Sequence, residues 1–218
     1  MDLTIIQKIC IWALPLIFAI TLHEVAHGYM AYWLGDYTAK LSGRLTLNPV
    51  KHADLVGTIL IPLMTMIFGG FIFGWAKPVP VDARNFKSPR RDMALVAVSG
   101  VIANFIMAIL WAAIAKLGMY LHDNGNIWLG LPLVYMGGAG IILNLVLGVL
   151  NLIPIPPLDG GRLLQALLPP RAAYQLGKLE PFGFFILLLL LLLGIISLAI
   201  EPIIIFLREG IDYLFGFM

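Results

Sequence analysis

The segment Thr21–Tyr29 reads T-L-H-E-V-A-H-G-Y and lies inside an apolar run long enough to cross a lipid bilayer. Ionisable side chains are costly in hydrocarbon and are kept there mainly where they perform a chemical task. On a helix, His23 and His27 stand one turn apart on the same face, so two imidazole nitrogens can converge on one metal ion. Glu24 lies beside them, where a carboxylate can accept a proton from water. The alternative is a pair of core histidines next to an unrelated acid.

The composition indicates a polytopic membrane protein. Of the 218 residues, 61% are hydrophobic and 12% are charged, whereas a soluble domain carries about 25% charged residues. The net charge of +2 gives no indication of nucleic-acid binding. The single cysteine, Cys10, excludes an internal disulfide and a cysteine-based zinc site. We therefore expect one membrane-embedded unit over residues 1–218, with a lipid bilayer around it, no nucleic-acid partner and no separate soluble domain.

The apolar runs predict an all-α fold with four full transmembrane helices. These helices are expected at about Thr4–Leu34, Met93–Leu117, Leu129–Leu152 and Phe182–Leu207. The run 57–75 contains Pro62 and Gly69-Gly70 and is either a fifth span or a re-entrant segment. It leads into a short stretch at 71–85 that is predicted to be extended and β-hairpin-like.

The positive charges distinguish the two arrangements of residues 57–75. If this run crosses the membrane, the fourteen Lys and Arg residues divide nine to five between the two faces. If it re-enters, eleven of them share one face, in the loops Lys40–Lys51, Lys77–Arg91 and Arg162–Lys178. The second arrangement fits the positive-inside tendency better. It places the amino terminus outside and the metal site near the cytoplasmic face, and we favour it.

A second polar stretch supplies the candidate third ligand. Asn151–Leu164 reads N-L-I-P-I-P-P-L-D-G-G-R-L-L and breaks a helix at membrane depth, which is tolerated where protein shields it or where it lines a wet cavity. Two histidines and one carboxylate leave a fourth zinc position open, as catalytic sites require. We favour Asp159 as that carboxylate, with Glu201 as its rival. His52, in the polar connector, is expected to be interfacial, with a ligand or substrate contact as alternatives.

Small and polar residues mark the helix faces that are expected to meet protein. Ala97, Gly100 and Asn104 share one face, where small residues let another helix approach closely. The role of Asn104 stays open between packing and the site. A second such face carries residues at seven-residue intervals: Gly137, Asn144 and Asn151.

The two motifs H-E-V-A-H and N-L-I-P-I-P-P-L-D-G together resemble those of the site-2 protease family of intramembrane zinc metalloproteases. The likeness extends to Gly100 and Asn104, although Val101 stands where that family often has proline. The stretch F-G-W-A-K-P-V-P-V at Phe73–Val81 resembles short bacterial and archaeal members without a PDZ domain. The resemblance therefore spans most of the chain.

This resemblance implies one Zn²⁺ per chain, held by His23, His27 and Asp159, with Glu24 as the catalytic acid/base. Asn151, and with it Asn104, are the candidate substrate contacts. The implied activity is that of an endopeptidase that cuts in or near the transmembrane segments of membrane proteins, in regulated intramembrane proteolysis or in clearance of signal-peptide remnants. The implied location is a prokaryotic inner membrane. A homo-oligomer or an accessory membrane partner is left open.

Two other classes of protein are compatible with a membrane metal site. A divalent-metal transporter would carry polar residues along a path through several helices, whereas here they gather at one depth. A catalytically silent binding protein would be expected to lack Glu24 or one of the ligands.

A protease of this kind must unwind its substrate, because a helical peptide bond is hydrogen-bonded and sterically covered. An extended segment around Phe71–Val81 could pair with the unwound strand by β-augmentation. This pairing is a hypothesis about the route of the substrate.

Overall fold

The computed structural model describes residues 4–60 and 76–217. The described residues form an all-helical protein in which no β-strand occurs. Three helices are long and apolar enough to cross a membrane, and these are α1 (Ile5–Trp33), α3 (Pro89–Asp123) and α4 (Ile127–Asn151). The shorter helices are α2 (Thr38–Leu41), α5 (Asp159–Leu167), α6 (Pro170–Gly177), α7 (Glu180–Leu192) and α8 (Ile195–Phe215). Single turns lie at Pro49–Lys51 and Ala83–Asn85 (3₁₀) and at Leu55–Leu60 (π).

Helix α1 has clear start and stop signals. The Thr4 hydroxyl accepts a hydrogen bond from the Gln7 backbone N–H, and the Gln7 side chain accepts one from the Thr4 N–H, which forms a capping box. The helix ends before Gly35, whose φ of +104° lies in the region that favours glycine. The predicted bounds Thr4–Leu34 are confirmed, with Pro15 inside the helix.

Helices α3 and α4 pack against each other through small residues. A Cβ atom added to Gly137 would lie 2.5 Å from the Ala115 Cβ, and one added to Gly140 would lie 2.2 Å from the Trp111 ring. Glycine therefore permits the close approach of the two helices. Their contact forms the main core together with α8, and its buried members are Ala108, Trp111, Ala112, Ile141, Leu145 and Ile211. Both predicted helices are confirmed and are candidate membrane spans, and α3 extends beyond the expected Met93–Leu117 at each end.

The fourth predicted span, Phe182–Leu207, is not a single helix. Helix α7 ends at Leu192, and α8 begins at Ile195. Between them Gly194 has a φ of +72°, a conformation that ends a helix even within a leucine-rich run. Helices α6 and α7, bent by 65°, together have the length and hydropathy of one broken span. The described part of the chain thus has three candidate spans, or four if this bent pair counts as one.

Most of the predicted fifth or re-entrant segment, 57–75, lies outside the described residues, so the choice between crossing and re-entry stays a prediction. In the predicted hairpin-like stretch, residues 76–82 have no regular secondary structure and 83–85 form the 3₁₀ turn. A β-hairpin is therefore not confirmed in 76–85, and residues 71–75 lie outside the described ranges.

Asp36 joins the end of α1 to this irregular segment. Its side chain is fully buried. Oδ1 accepts hydrogen bonds from the Thr38 N–H at 3.0 Å and from the Asn85 amide at 2.7 Å. Oδ2 accepts one from the Asp82 N–H at 2.8 Å. The Asp36 carboxylate therefore links the connector that follows α1, at Thr38, to the irregular segment that contains Asp82 and Asn85.

Candidate metal centre

The structure brings His23 and His27 of α1 together with Asp159, the first residue of α5. The Nε2 atoms of the two histidines lie 3.0 Å apart, and each is 3.2 Å from the Asp159 Oδ2 atom. Ligands bound at about 2.0–2.1 Å to a tetrahedral zinc ion lie about 3.3 Å from one another. The three side chains therefore have the spacing that a single ion requires.

The outer nitrogen of each imidazole contacts an oxygen acceptor. The His27 Nδ1 atom lies 2.7 Å from the Val96 carbonyl oxygen, which can only accept. The His23 Nδ1 atom lies 2.6 Å from the Asn104 Oδ1 atom, and the Asn104 amide nitrogen donates in turn to Asn144 Oδ1 at 3.0 Å. These contacts assign the proton of each ring to Nδ1, so both Nε2 lone pairs face the metal position.

In this protonation state, a cation between the three groups is electrostatically favourable. Two nitrogen lone pairs and a carboxylate oxygen repel one another when nothing positive lies between them. The Asp159 Oδ2 atom is also buried and finds no hydrogen-bond donor in the described part of the chain. Buried acceptors are normally satisfied. The donor set and its burial therefore fit a metal ion.

Gly100 provides the space for both imidazoles. A Cβ atom at this position would lie 2.4 Å from the His27 Cε1 atom and 2.7 Å from the His23 Cε1 atom. The sequence predicts a close approach of another helix at Gly100, and the structure confirms it. The groups that approach are the two histidine rings of α1.

Glu24 is fixed by a backbone group from the irregular segment. Its Oε2 atom accepts a hydrogen bond from the Val79 N–H at 2.8 Å. Because Pro78 and Pro80 have no N–H, Val79 supplies the only backbone donor of the three-residue stretch 78–80. Sequence reasoning did not find Val79. The alternation P-V-P, which leaves a single free donor, is the signal that it overlooked.

The metal-ligating groups and Glu24 border a cavity of about 530 Å³. A volume in this range is typical of ligand sites. The other walls are mostly apolar and include Leu147, Leu150, Phe184, Leu187, Leu191 and Ile196. Asn151 lines the same cavity, and its amide nitrogen donates to the Leu147 carbonyl oxygen at 3.0 Å. The cavity thus combines these polar groups with a mostly apolar lining.

Three other predicted residues lie elsewhere. Asn104 is fully buried behind His23, where it supports that ring and does not line the cavity. Glu201, the rival ligand, is exposed on α8 and lies outside the cluster. The interfacial position expected of His52 stays a prediction. His52 is 2% exposed, and its Nε2–H donates to the Thr46 carbonyl oxygen at 2.8 Å, so it is a buried structural residue of the connector.

Comparison with known proteins identifies relatives of this chain. The profile of peptidase family M50 matches residues 129–194, which include the broken helix and Asp159. YwhC of Bacillus subtilis, designated a zinc metalloprotease, is 41% identical over 208 residues, which cover 93% of this chain and 90% of YwhC. Rip2 of Mycolicibacterium smegmatis, with the same designation, is 28% identical over 176 residues, or 81% of this chain and 64% of Rip2.

A more distant relative comes from an archaeon. Zinc metalloprotease MJ0392 of Methanocaldococcus jannaschii is 28% identical over 203 residues, and the matched region spans 91% of this chain but only 48% of MJ0392. No solved structure matches the chain.

A helical membrane protein that gathers an H-E-x-x-H pair and a distant aspartate at one buried point has the features of a membrane zinc metalloprotease. The extent and identity of the match to YwhC show that the chain belongs to peptidase family M50. The resemblance to the site-2 protease family is confirmed. The enzyme class is therefore that of a zinc metalloprotease, and zinc is its cofactor.

Proposed function

We propose that this chain is an intramembrane endopeptidase that hydrolyses peptide bonds in or near the transmembrane segments of membrane proteins. One observation carries the proposal: the three candidate metal ligands and the Glu24 carboxylate border a single cavity whose other walls are mostly apolar. Two of the helices that line it, α1 and α4, have the length and hydropathy of membrane spans. Such a cavity suits an apolar polypeptide segment better than a polar peptide.

The zinc ion would be held by the Nε2 atoms of His23 and His27 and by the Asp159 carboxylate. When bound there, zinc supplies Lewis-acid polarisation of the peptide carbonyl and activation of water. Three protein ligands leave one coordination position open, as in other catalytic zinc sites.

The residues of the chain carry the proton transfers and the positioning. Glu24 accepts a proton from the attacking water and delivers it to the departing amine. Asn151, at the cavity wall, is placed to hold the substrate backbone. Asn104 orients His23 by accepting a hydrogen bond from the His23 Nδ1–H. The buried position of Asn104 supports this role better than the predicted contact with substrate.

The substrate strand is proposed to lie along residues 76–81, with a restriction that follows from the hydrogen bonds. The Val79 N–H is occupied by Glu24, and the Lys77 N–H donates to the His52 carbonyl oxygen at 2.9 Å. Strand pairing over 77–80 would therefore use carbonyl oxygens as acceptors. Because the Lys77 and Pro78 oxygens already accept from Arg44, those of Val79 and Pro80 are the ones that remain. The inner-membrane location, the site near the cytoplasmic face and any homo-oligomer or accessory partner belong to this proposal as well.

Substitution Glu24→Gln tests the proposal. The purified protein, reconstituted with zinc and a single-span membrane-protein substrate, should lose cleavage by about 10²- to 10⁴-fold, because a general base contributes about that much. The variant should retain its zinc, since none of the three ligands is changed. Glu201→Gln, at an exposed glutamate, is the matched control and should cleave normally.

Other outcomes identify other functions. Cleavage by Glu24→Gln at the wild-type rate would contradict the assigned base. Zinc flux into liposomes without cleavage would indicate a transporter. Zinc binding with neither flux nor cleavage of a panel of single-span substrates would indicate a silent binding protein.

A further inference from the structure

We propose that Arg44 is a positioning residue for Glu24, acting through the peptide unit that joins Pro78 to Val79. This inference rests on the proposed function, in which Glu24 is the proton acceptor. Arg44 itself touches neither the metal-ligating groups nor Glu24 in the structure. Its effect reaches the site through a single planar group of backbone atoms.

The guanidinium group of Arg44 binds two consecutive carbonyl groups. Its Nη2 atom donates to the Lys77 oxygen at 2.8 Å and to the Pro78 oxygen at 3.1 Å. The Lys77 N–H is held from the other side by the His52 carbonyl oxygen. Both polar groups of residue 77 and the carbonyl group of residue 78 are therefore fixed.

The Pro78 carbonyl group and the Val79 N–H belong to the same peptide unit. That unit is planar, and its C=O and N–H point in opposite directions. A donor that holds the oxygen in place therefore also aims the N–H, which here points at the Glu24 Oε2 atom. A cation on the oxygen further polarises the peptide and strengthens the hydrogen bond on its other side. Arg44 thus both orients and strengthens the contact that holds Glu24.

The charge of Arg44 also favours a role beyond loop stability. Arg44 as a whole residue is only 9% exposed, and burial of a charge is costly unless an opposite charge lies nearby. Within the described residues, Arg44 forms no ion pair, and its two acceptors are neutral carbonyl groups. The Glu24 carboxylate lies on the other side of the Pro78–Val79 peptide unit. Through that unit, Arg44 is connected to this anion.

Packing keeps the segment against α1. A Cβ atom on Gly28 would lie 3.1 Å from the Val79 Cγ1 atom and 2.5 Å from the Leu45 Cδ2 atom. Gly28 is four residues after Glu24, so it lies one turn further along α1 on the same face. Leu45, which follows Arg44, and Val79, which donates to Glu24, therefore pack side by side on α1, the helix that carries the H-E-V-A-H motif.

Steady-state kinetics of Arg44→Gln and Arg44→Lys test this inference in the zinc-loaded full chain, with the single-span substrate used for Glu24→Gln. A displaced catalytic group lowers turnover, and a displacement of about 1 Å can cost about 100-fold. We expect Arg44→Gln to lower kcat by about 10- to 100-fold, with KM and zinc content within twofold of wild type. The kcat of Arg44→Lys should lie between those of wild type and Arg44→Gln, because one ammonium group cannot reproduce the guanidinium geometry. The exposed Arg91, changed to Gln, is the matched control.

The results separate three cases. A wild-type kcat in Arg44→Gln overturns the inference. A loss of activity that parallels a loss of zinc or of folded protein also overturns it, because that result would show a structural role. If Arg44→Gln does not fold, Arg44→Lys decides: a wild-type kcat overturns the inference, and a reduced kcat at unchanged zinc content supports it. Absence of cleavage by the wild type would contradict the proposed function itself.

Discussion

Helix α3 passes α1 so closely at Gly100 that the imidazole rings of His23 and His27 occupy the space of a Cβ atom. Neither ring is free to move aside, because each is held at Nδ1 by an oxygen of α3. The position of the two candidate ligand nitrogens therefore depends on a residue that has no functional group.

The substitution Gly100→Ala should weaken zinc binding. The added methyl group displaces one or both rings, and the loss of ligand orientation typically costs about 10- to 100-fold in metal affinity. Competition with a chelator measures the change. Gly138→Ala is the matched control, because a Cβ atom on this α4 glycine meets nothing within 4 Å. Equal zinc affinity of the two variants would show that the rings are not constrained as the structure indicates.

The residues of the site differ in how far the sequence predicts them. The convergence of His23 and His27 follows from helix periodicity alone, which is a local property. The convergence of Asp159 with these histidines does not follow from periodicity. It follows from a further argument, which is that an irregular break at membrane depth must face protein or water. The P-V-P alternation marks the Val79 N–H as a free donor, but the groups that Val79 and Arg44 contact could not be predicted. Those contacts depend on the path of a connector with no regular secondary structure.

At the scale of elements, Asp36 connects α1 to the segment that holds Glu24. Burial by itself raises the pKa of the Asp36 carboxyl, but the hydrogen bonds from Thr38, Asn85 and Asp82 outweigh it and hold the pKa below its ordinary value of 3.8. A carboxyl group whose pKa is lowered in the folded state stabilises that state above its ordinary pKa. The contribution is lost as the pH falls through the folded-state pKa.

Substitution Asp36→Asn should therefore destabilise the protein at neutral pH and have little effect in acid. Loss of hydrogen bonds to a charged group costs about 1.5–3 kcal/mol. Thermal unfolding of the detergent-solubilised protein between pH 7 and pH 3 measures this difference, which should be constant above about pH 5 and shrink progressively below it. The exposed Asp123, changed to Asn, serves as the control. A difference that is independent of pH would contradict the account.

The long helices were predictable as elements, and the carboxyl-terminal ones were not. Helices α1, α3 and α4 follow from apolar runs of sufficient length. The run that contains Gly194 has the same composition, but one glycine in a left-handed conformation divides it into α7 and α8. A single glycine is often tolerated within a helix, so its presence alone does not predict a break.

At the scale of the whole molecule, the orientation in the membrane can be measured directly. Lys87 and Asn124 are exposed and flank α3 at opposite ends. In a Cys10→Ser background, Lys87→Cys and Asn124→Cys are made as separate variants. Each variant has a single thiol, at one or the other end of α3. A membrane-impermeant maleimide applied to intact spheroplasts should label the second variant and not the first, because the positively charged connectors are expected inside. The opposite labelling pattern would show an inverted topology.

The break at Gly194 has a consequence for the surrounding lipid. Helix α7 has 13 residues and is therefore about 20 Å long, whereas the hydrocarbon layer of a bilayer is about 30 Å thick. Such hydrophobic mismatch is relieved when the bilayer thins locally or when flanking polar groups reach toward headgroups. Where α7 alone, without α6, faces the hydrocarbon layer, either response would bring headgroups and water closer to Leu187 and Leu191, which α7 contributes to the cavity wall. Under the proposed function, this flank would be where water and an apolar polypeptide segment both approach the candidate metal ligands.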